Sequence, residues 1–143
     1  MSTTTESASP LRRTVQGQWR GGWRCDVTAG DFAITVDEPI SLGGTNRGPQ
    51  PTDLLLAAVA SCFTLSIAYV ARRRSIPLHS VSVEVTGVYD GPRFRAIAVE
   101  GLLGCDQAHV DALLRGAERV CYVTNTLCSD VAVALSAKAA PQP

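Results

Sequence analysis

The sequence predicts an α+β domain in which helices pack against a largely antiparallel sheet. Runs with strand-like alternation and runs with helical spacing are segregated along the chain, in the order strands, helix, strands, helix, strand. Residues 54–71 contain no charge and are too long for one strand, which indicates a buried central helix. A chain of 143 residues fits one domain. We expect that domain to cover residues 11–138, between a disordered lead-in over 1–10 and a flexible tail over 139–143.

Three short strands are expected before the central helix, at residues 14–19, 23–28 and 32–36. Gly21-Gly22 and Gly30-Asp31 separate them and are typical of tight turns, so the strands form an antiparallel meander. A loop over 41–51 then leads into the central helix. Pro51 suits the first helical position, because that position needs no N–H.

The central helix raises the question of a membrane. Its uncharged stretch is of borderline length for a span, and the basic run Arg72-Arg73-Arg74 follows it. Its many small and hydroxyl-bearing residues dilute the hydrophobicity, and soluble-looking strands flank it. We therefore expect no membrane insertion. Asp53 in the first turn and the arginines in the last turn complement the helix dipole.

The second half of the chain repeats the pattern of strands followed by a helix. Alternating strands are expected at 78–88 and 95–103 around a turn at 89–92, and a last strand at 130–136. Between them, residues 106–121 show helical spacing. One apolar stripe of this helix holds Val110, Leu113, Leu114, Ala117, Val120 and Cys121.

Composition excludes several classes of function. Thirteen basic residues balance thirteen acidic ones, and aromatic residues are few, so no nucleic-acid partner is expected. The five cysteines are an odd number without a C-x-x-C, which argues against a secreted disulfide framework. The two histidines lie far apart in sequence, so no metal or other cofactor is expected. The first ten residues lack the apolar core of a signal peptide, and we predict a cytoplasmic location.

Two cysteines are placed to meet on the inner faces of the two helices. Cys62 lies within the central helix, and Cys121 closes the second apolar stripe. Each cysteine taken alone is most simply a small buried hydrophobe. As a nucleophile, Cys62 needs a cation that lowers its pKa, because apolar surroundings raise it. Arg20 and Arg24, beside the Gly-Gly turn, are the candidates.

Two motifs resemble the OsmC/Ohr family, the osmotically inducible and organic-hydroperoxide-resistance proteins. They cover residues 43–62 and 117–127, and the resemblance extends over about 14–137. It implies an OsmC-like fold in an intertwined homodimer, with two active sites at the interface. It also implies reduction of organic hydroperoxides and recycling by a dithiol such as a lipoylated protein. Cys62 would be the peroxidatic thiol and Cys121 the resolving thiol. The family's arginine comes from the early strands, with Arg24 as first choice and Arg20 as second.

The chain departs from the family's peroxidase pattern at two positions. Peroxidase members carry a glutamate after the helix-opening proline, where it holds the arginine. This chain has Thr52 there, followed by Asp53, which is a candidate substitute. Peroxidase members usually carry proline after the second cysteine, and this chain has Tyr122. These differences leave two alternatives to an organic hydroperoxide reductase: a protein that binds small apolar ligands, and a redox sensor without turnover.

Overall fold

The computed structural model describes residues 10–143. The predicted disordered lead-in therefore lies outside the described residues, apart from Pro10. The chain divides into an N-terminal unit that ends at Leu54 and a C-terminal unit from Leu55 to Pro143. The expected single domain over 11–138 and the flexible tail stay predictions.

The N-terminal unit contains the predicted antiparallel meander. Its strands are β1 (Gln16–Trp19), β2 (Cys25–Ala29) and β3 (Phe32–Val36), paired in chain order. Gly21, Gly22 and Gly30 adopt positive φ angles of 94°, 53° and 59°, which explains why glycine occupies the two turns. The prediction of three early strands is confirmed, with small shifts at their ends.

A buried carboxylate organises the loop that follows β3. Asp37 is 1% exposed and accepts hydrogen bonds from the Glu38 amide at 2.8 Å, the Arg47 amide at 3.1 Å and the Thr45 hydroxyl at 2.5 Å. The Thr45 hydroxyl bond, against the opposing effect of burial and together with the backbone amides, lowers the pKa of Asp37 to about 2. Asp37 thus ties together both ends of a loop that the sequence shows only as irregular.

The central helix, α1, covers Pro51–Arg73 and has Asp53 in its first turn and Arg72 and Arg73 in its last. It is longer at both ends than the uncharged stretch. One stripe is buried, but Leu65 is 69% exposed and Tyr69 53% exposed. The single chain therefore leaves one side of this helix open.

Helix α1 is also long and apolar enough to cross a bilayer, with a mean hydropathy of 2.2 in its most apolar window. This is a weak indication, because the core helix of a soluble protein has the same length and composition. Here α1 contributes four side chains to the main apolar core of the C-terminal unit.

The C-terminal unit contains a long hairpin and two further helices. Strands β4 (Ser80–Asp90) and β5 (Arg93–Gly104) pair antiparallel. After a 3₁₀ turn, α2 covers Val110–Val120 and α3 covers Tyr122–Leu127. The apolar core consists of Phe63, Ile67, Val70, Ala71, Leu113, Ala117 and Cys121. These elements confirm the α+β class with antiparallel sheets.

Two expectations for this half of the chain are corrected. The helix predicted over 106–121 stops at Val120, and Leu114 and Val120 of its stripe are 43% and 38% exposed. Residues 130–136 form no strand in the described chain, although apolar residues alternate there. Alternation alone does not make a strand, because a strand needs an adjacent strand edge to satisfy its backbone groups.

Candidate functional site

Cys62 lies in the middle of α1, on the border between its buried and exposed sides. Its side chain is partly exposed and packs against the apolar core. Ser66 follows one helical turn later and is 6% exposed. The Ser66 hydroxyl donates a hydrogen bond to the Cys62 carbonyl oxygen at 2.7 Å. Cys62 therefore lies within a helix and is still partly accessible.

Cys121 occupies the junction between α2 and α3. It has an extended backbone, with φ −76° and ψ 103°, which ends α2 and starts α3 in a new direction. Its N–H donates to the Ala117 carbonyl at 2.9 Å, and its carbonyl accepts from the Asn125 amide at 3.0 Å. The side chain is fully buried. These backbone hydrogen bonds hold the junction from which the buried Cys121 side chain projects.

The structure brings Cys62 and Cys121 together. Both thiols are free, and Cys62 packs against the core cluster that contains Cys121. Burial opposes ionisation of Cys121, but the Thr124 hydroxyl and amide, followed by the Cys62 thiol and the Ser66 hydroxyl, lower the pKa of Cys121 below its ordinary value.

An open cavity of about 630 Å³ adjoins one of these two thiols. Its lining consists of Cys62, Leu65, Ser66, Tyr69, Arg119, Val120, Tyr122 and Asn125. Cys62 is therefore the thiol that a molecule in the cavity meets, whereas Cys121 is buried and does not line the cavity. Apolar side chains dominate the wall, which suits an organic molecule.

The two candidate arginines of the N-terminal unit converge on one carboxylate. The Arg20 Nε lies 2.9 Å from Asp26 Oδ2, and the Arg24 Nε lies 3.5 Å from Asp26 Oδ1. The sequence reasoning missed Asp26, although its place two residues after Arg24 on β2 puts it beside the Gly-Gly turn. The action of either arginine on Cys62 stays a prediction.

Asp53 is exposed in the first turn of α1. The Gln50 side-chain amide donates to its Oδ1 at 3.4 Å. No arginine is paired with Asp53 in the described part of the chain, and the carboxylate that pairs with Arg20 and Arg24 is Asp26. Its role as a substitute for the family glutamate stays a prediction.

Three residues near the thiols escaped the sequence reasoning: Ser66, Arg119 and Thr124. All lie within or next to the two motifs, but only the fold shows that they face the sulfur atoms or the cavity. Within residues 10–143, no three His, Cys, Asp or Glu side chains cluster closely enough to hold a metal ion. A smaller cavity of about 340 Å³ lies beside the exposed Cys128 and includes Arg95 in its wall.

Comparison of the sequence with known protein families shows which family the chain belongs to. The sequence model described as "OsmC-like protein" matches residues 44–136, which is more than half of the chain. The chain therefore belongs to the OsmC-like protein family. The matched segment includes Cys62, Cys121 and Asp53 but begins after Arg20 and Arg24. Among proteins of curated function, none matches the chain.

Solved structures agree with that assignment. An OsmC-like protein from Mycoplasma pneumoniae is 17% identical, with a TM-score of 0.73 over 83% of this chain and 89% of the other. An organic hydroperoxide resistance protein OsmC from Legionella pneumophila is 25% identical, with a TM-score of 0.59 over 84% and 91%. An organic hydroperoxide resistance protein from Elizabethkingia anophelis is 20% identical, with a TM-score of 0.59 over 87% and 93%. The fold is thus that of the OsmC-like proteins.

Proposed function

We propose that this protein is a thiol-dependent peroxidase that reduces organic hydroperoxides through Cys62 and Cys121. The observation that carries the proposal is the contact between two free thiols, of which one opens onto an apolar cavity. The Legionella pneumophila relative, named an organic hydroperoxide resistance protein, supports the same reaction class.

The reaction starts with attack of the Cys62 thiolate on the terminal oxygen of the hydroperoxide. An S–O bond forms as the O–O bond breaks, and the alkoxide takes up a proton and leaves as an alcohol. Cys62 is then a sulfenic acid. The Cys121 thiolate attacks the Cys62 sulfur, a disulfide forms, and hydroxide leaves as water after protonation. A dithiol such as a lipoyl group reduces the disulfide by exchange and is itself oxidised to a disulfide.

Access and ionisation divide the two roles between the thiols. Cys62 lines the cavity, whereas Cys121 is fully buried, so the hydroperoxide meets Cys62. The lowered pKa of Cys121 increases its thiolate fraction, which favours attack on the sulfenic acid. The same property makes Cys121 the better leaving group when a dithiol thiolate attacks the disulfide at Cys62.

Activation of Cys62 is assigned to an arginine of the N-terminal unit. Arg24 is the first choice and Arg20 the second, and Asp26 holds both guanidinium groups in the way expected of the family glutamate. Asp53 remains the alternative carboxylate. The proposal includes a homodimer, because a second copy would cover the exposed Leu65 and Tyr69 of α1. It also includes a cytoplasmic location. A monomeric sedimentation profile at micromolar concentration would contradict the dimer.

The test is consumption of cumene hydroperoxide by the purified protein with dihydrolipoamide as reductant. We expect multiple turnovers in the wild type and loss of activity in Cys62→Ser. Cys128→Ser is the matched control, since Cys128 is an exposed thiol outside the cavity that contains Cys62. An inactive wild type, or an active Cys62→Ser variant, would overturn the proposal.

A second candidate is binding of a small apolar ligand without turnover. The size and apolar wall of the cavity favour it, as does Thr52 in the place of the family glutamate. In that case Cys62 is a wall residue with the reactivity of an ordinary thiol. Alkylation by iodoacetamide at pH 6 separates the two, because only an activated Cys62 reacts rapidly there.

A further inference from the structure

The cavity beside Cys62 contains one strong positive charge. Among the described residues that line it, Arg119 is the only charged one. It lies near the end of α2, two residues before Cys121, and its side chain is exposed. The backbone turn at Cys121 therefore places a guanidinium group and the thiol pair on neighbouring parts of one site.

Arg119 differs from several other arginines of this chain in having no carboxylate beside it. Ion pairs to aspartate hold Arg20, Arg24, Arg93 and Arg115. Within residues 10–143, no Asp or Glu oxygen lies within ion-pair distance of the Arg119 guanidinium. Its donors are therefore available to a molecule that enters the cavity.

The other polar side chains of the wall are partly used by the protein itself. The Ser66 hydroxyl donates to the Cys62 carbonyl at 2.7 Å, and the Asn125 side-chain amide donates to the Arg119 carbonyl at 3.3 Å. The guanidinium group thus supplies the strongest hydrogen-bond donors of the wall. Its planar fork matches a carboxylate, which accepts two parallel bonds from it.

We propose that Arg119 is a specificity-determining residue that binds the carboxylate of an anionic organic hydroperoxide. The substrate class is a hydroperoxide that carries a carboxylate on an apolar chain. Val120 and Tyr122 of the cavity wall contact the chain while the peroxide group reaches Cys62. This inference rests on the proposed peroxidase function where it is tested by turnover. Binding of a carboxylate can also be measured without turnover.

The kinetic test compares a long-chain fatty-acid hydroperoxide with its methyl ester, in which an uncharged ester of similar size replaces the carboxylate. We expect the wild type to prefer the acid by about 10-fold in kcat/KM, near the lower end for a hydrogen-bonded ion pair because Arg119 is solvent-exposed. In Arg119→Gln the ratio should fall to near one. Arg95→Gln is the control, since it removes an exposed arginine from the other cavity, and it should keep the preference.

A wild type that consumes both hydroperoxides at equal efficiency would overturn the inference and leave the peroxidase intact. The same holds if Arg119→Gln retains the preference for the acid. Melting temperatures of the three proteins show whether a variant is folded, so that an unfolded protein is not mistaken for a loss of specificity.

A binding measurement separates the inference from the peroxidase itself. Dodecanoate should slow the alkylation of Cys62 by iodoacetamide more than dodecanol does, as followed by mass spectrometry of the Cys62 peptide. The difference should vanish in Arg119→Gln and persist in Arg95→Gln. If no hydroperoxide is turned over but this pattern is found, the peroxidase fails and the carboxylate site stands. Equal protection by the acid and the alcohol in the wild type would overturn the site.

Discussion

Asp37 in the N-terminal unit and Cys121 in the C-terminal unit are both buried, and both have a pKa below the ordinary value. The causes are similar, because hydrogen-bond donors around each group outweigh the cost of burial. At Asp37 the donors are a threonine hydroxyl and three backbone amides of one loop. At Cys121 they include a threonine hydroxyl and amide and a second thiol.

The surroundings of the two groups differ. Asp37 lines neither of the two described cavities, and its donors all belong to the loop that it holds together. Cys121 contacts Cys62, which opens onto a cavity. A lowered pKa therefore indicates chemistry only where the ionised group can act on something accessible. At Asp37 it indicates structure instead.

The largest expected effect is that substitutions at Cys121 and Asp37 have opposite consequences: the first lowers turnover and the second lowers stability. Cys121→Ser should give a normal first turnover with hydroperoxide and much slower later ones, because Cys62 has no partner for a disulfide. Over-oxidation of Cys62 to the sulfinic acid should then be visible by mass spectrometry. The cost in the free energy of unfolding should be about 1 kcal/mol. Asp37→Asn should do the reverse, with a lower denaturant midpoint and normal turnover in the protein that remains folded.

If Cys121→Ser keeps full turnover and forms a disulfide from Cys62 to another cysteine, the resolving role belongs elsewhere. Cys128 is the first alternative, and the double variant Cys121→Ser/Cys128→Ser decides that case. If Asp37→Asn keeps the wild-type denaturant midpoint but turns over slowly, the contrast between a structural Asp37 and a reactive Cys121 is wrong.

The next effect concerns the loop around Asp37. A Cβ added at Gly48 would lie 1.9 Å from the Thr35 carbonyl oxygen, a backbone atom of β3 that cannot move aside easily. We expect Gly48→Ala to destabilise the protein by about 3 kcal/mol, the upper part of the usual range for overpacking. Chemical denaturation measures it. Gly101→Ala is the matched control, because the nearest atom to its new Cβ is 3.6 Å away. Equal stability of both variants would show that the loop is not closely fitted to β3.

Acid sensitivity provides a smaller effect with a defined sign. The pKa of Asp37 is about 2 in the folded protein and 3.8 in an unperturbed aspartate, so the folded state gains stability from it above about pH 4. That contribution is lost as the pH falls from about 4 to 2. Denaturant midpoints at several pH values should show a shallower acid slope in Asp37→Asn than in the wild type. Parallel slopes would mean that Asp37 has an ordinary pKa.

The sequence predicts those parts of the fold that local signals determine. The turn at Gly30-Asp31 and the alternation after it locate β3 correctly, and Pro51 marks the first residue of α1. The strand predicted over residues 130–136 is wrong, because strand pairing depends on a neighbouring strand edge that is distant in sequence. The role of Asp37 is also missed, since its partner Arg47 is ten residues away in an irregular loop.

The candidate site likewise contains residues that the sequence predicts and residues that it misses. Cys62 and Cys121 are recognisable from two motifs, and the structure brings them into contact. Arg119 belongs to the second motif, yet nothing local shows which side of α2 faces a cavity. Asp26 is likewise missed as the partner of Arg20 and Arg24, because the pairing depends on how the chain turns at two glycines.

The smallest expected effect tests the departure at Tyr122, where the OsmC/Ohr pattern usually has proline. Tyr122 is the first residue of α3, a position that needs no N–H donor, and Cys121 before it already has the extended backbone that proline requires. Tyr122→Pro should therefore leave the free energy of unfolding unchanged or raise it by about 0.5 kcal/mol. Turnover should persist, because the Thr124 donors keep their place beside the Cys121 sulfur. A loss of more than about 1 kcal/mol would mean that the tyrosine stabilises the junction beside Cys121 in a way that proline cannot.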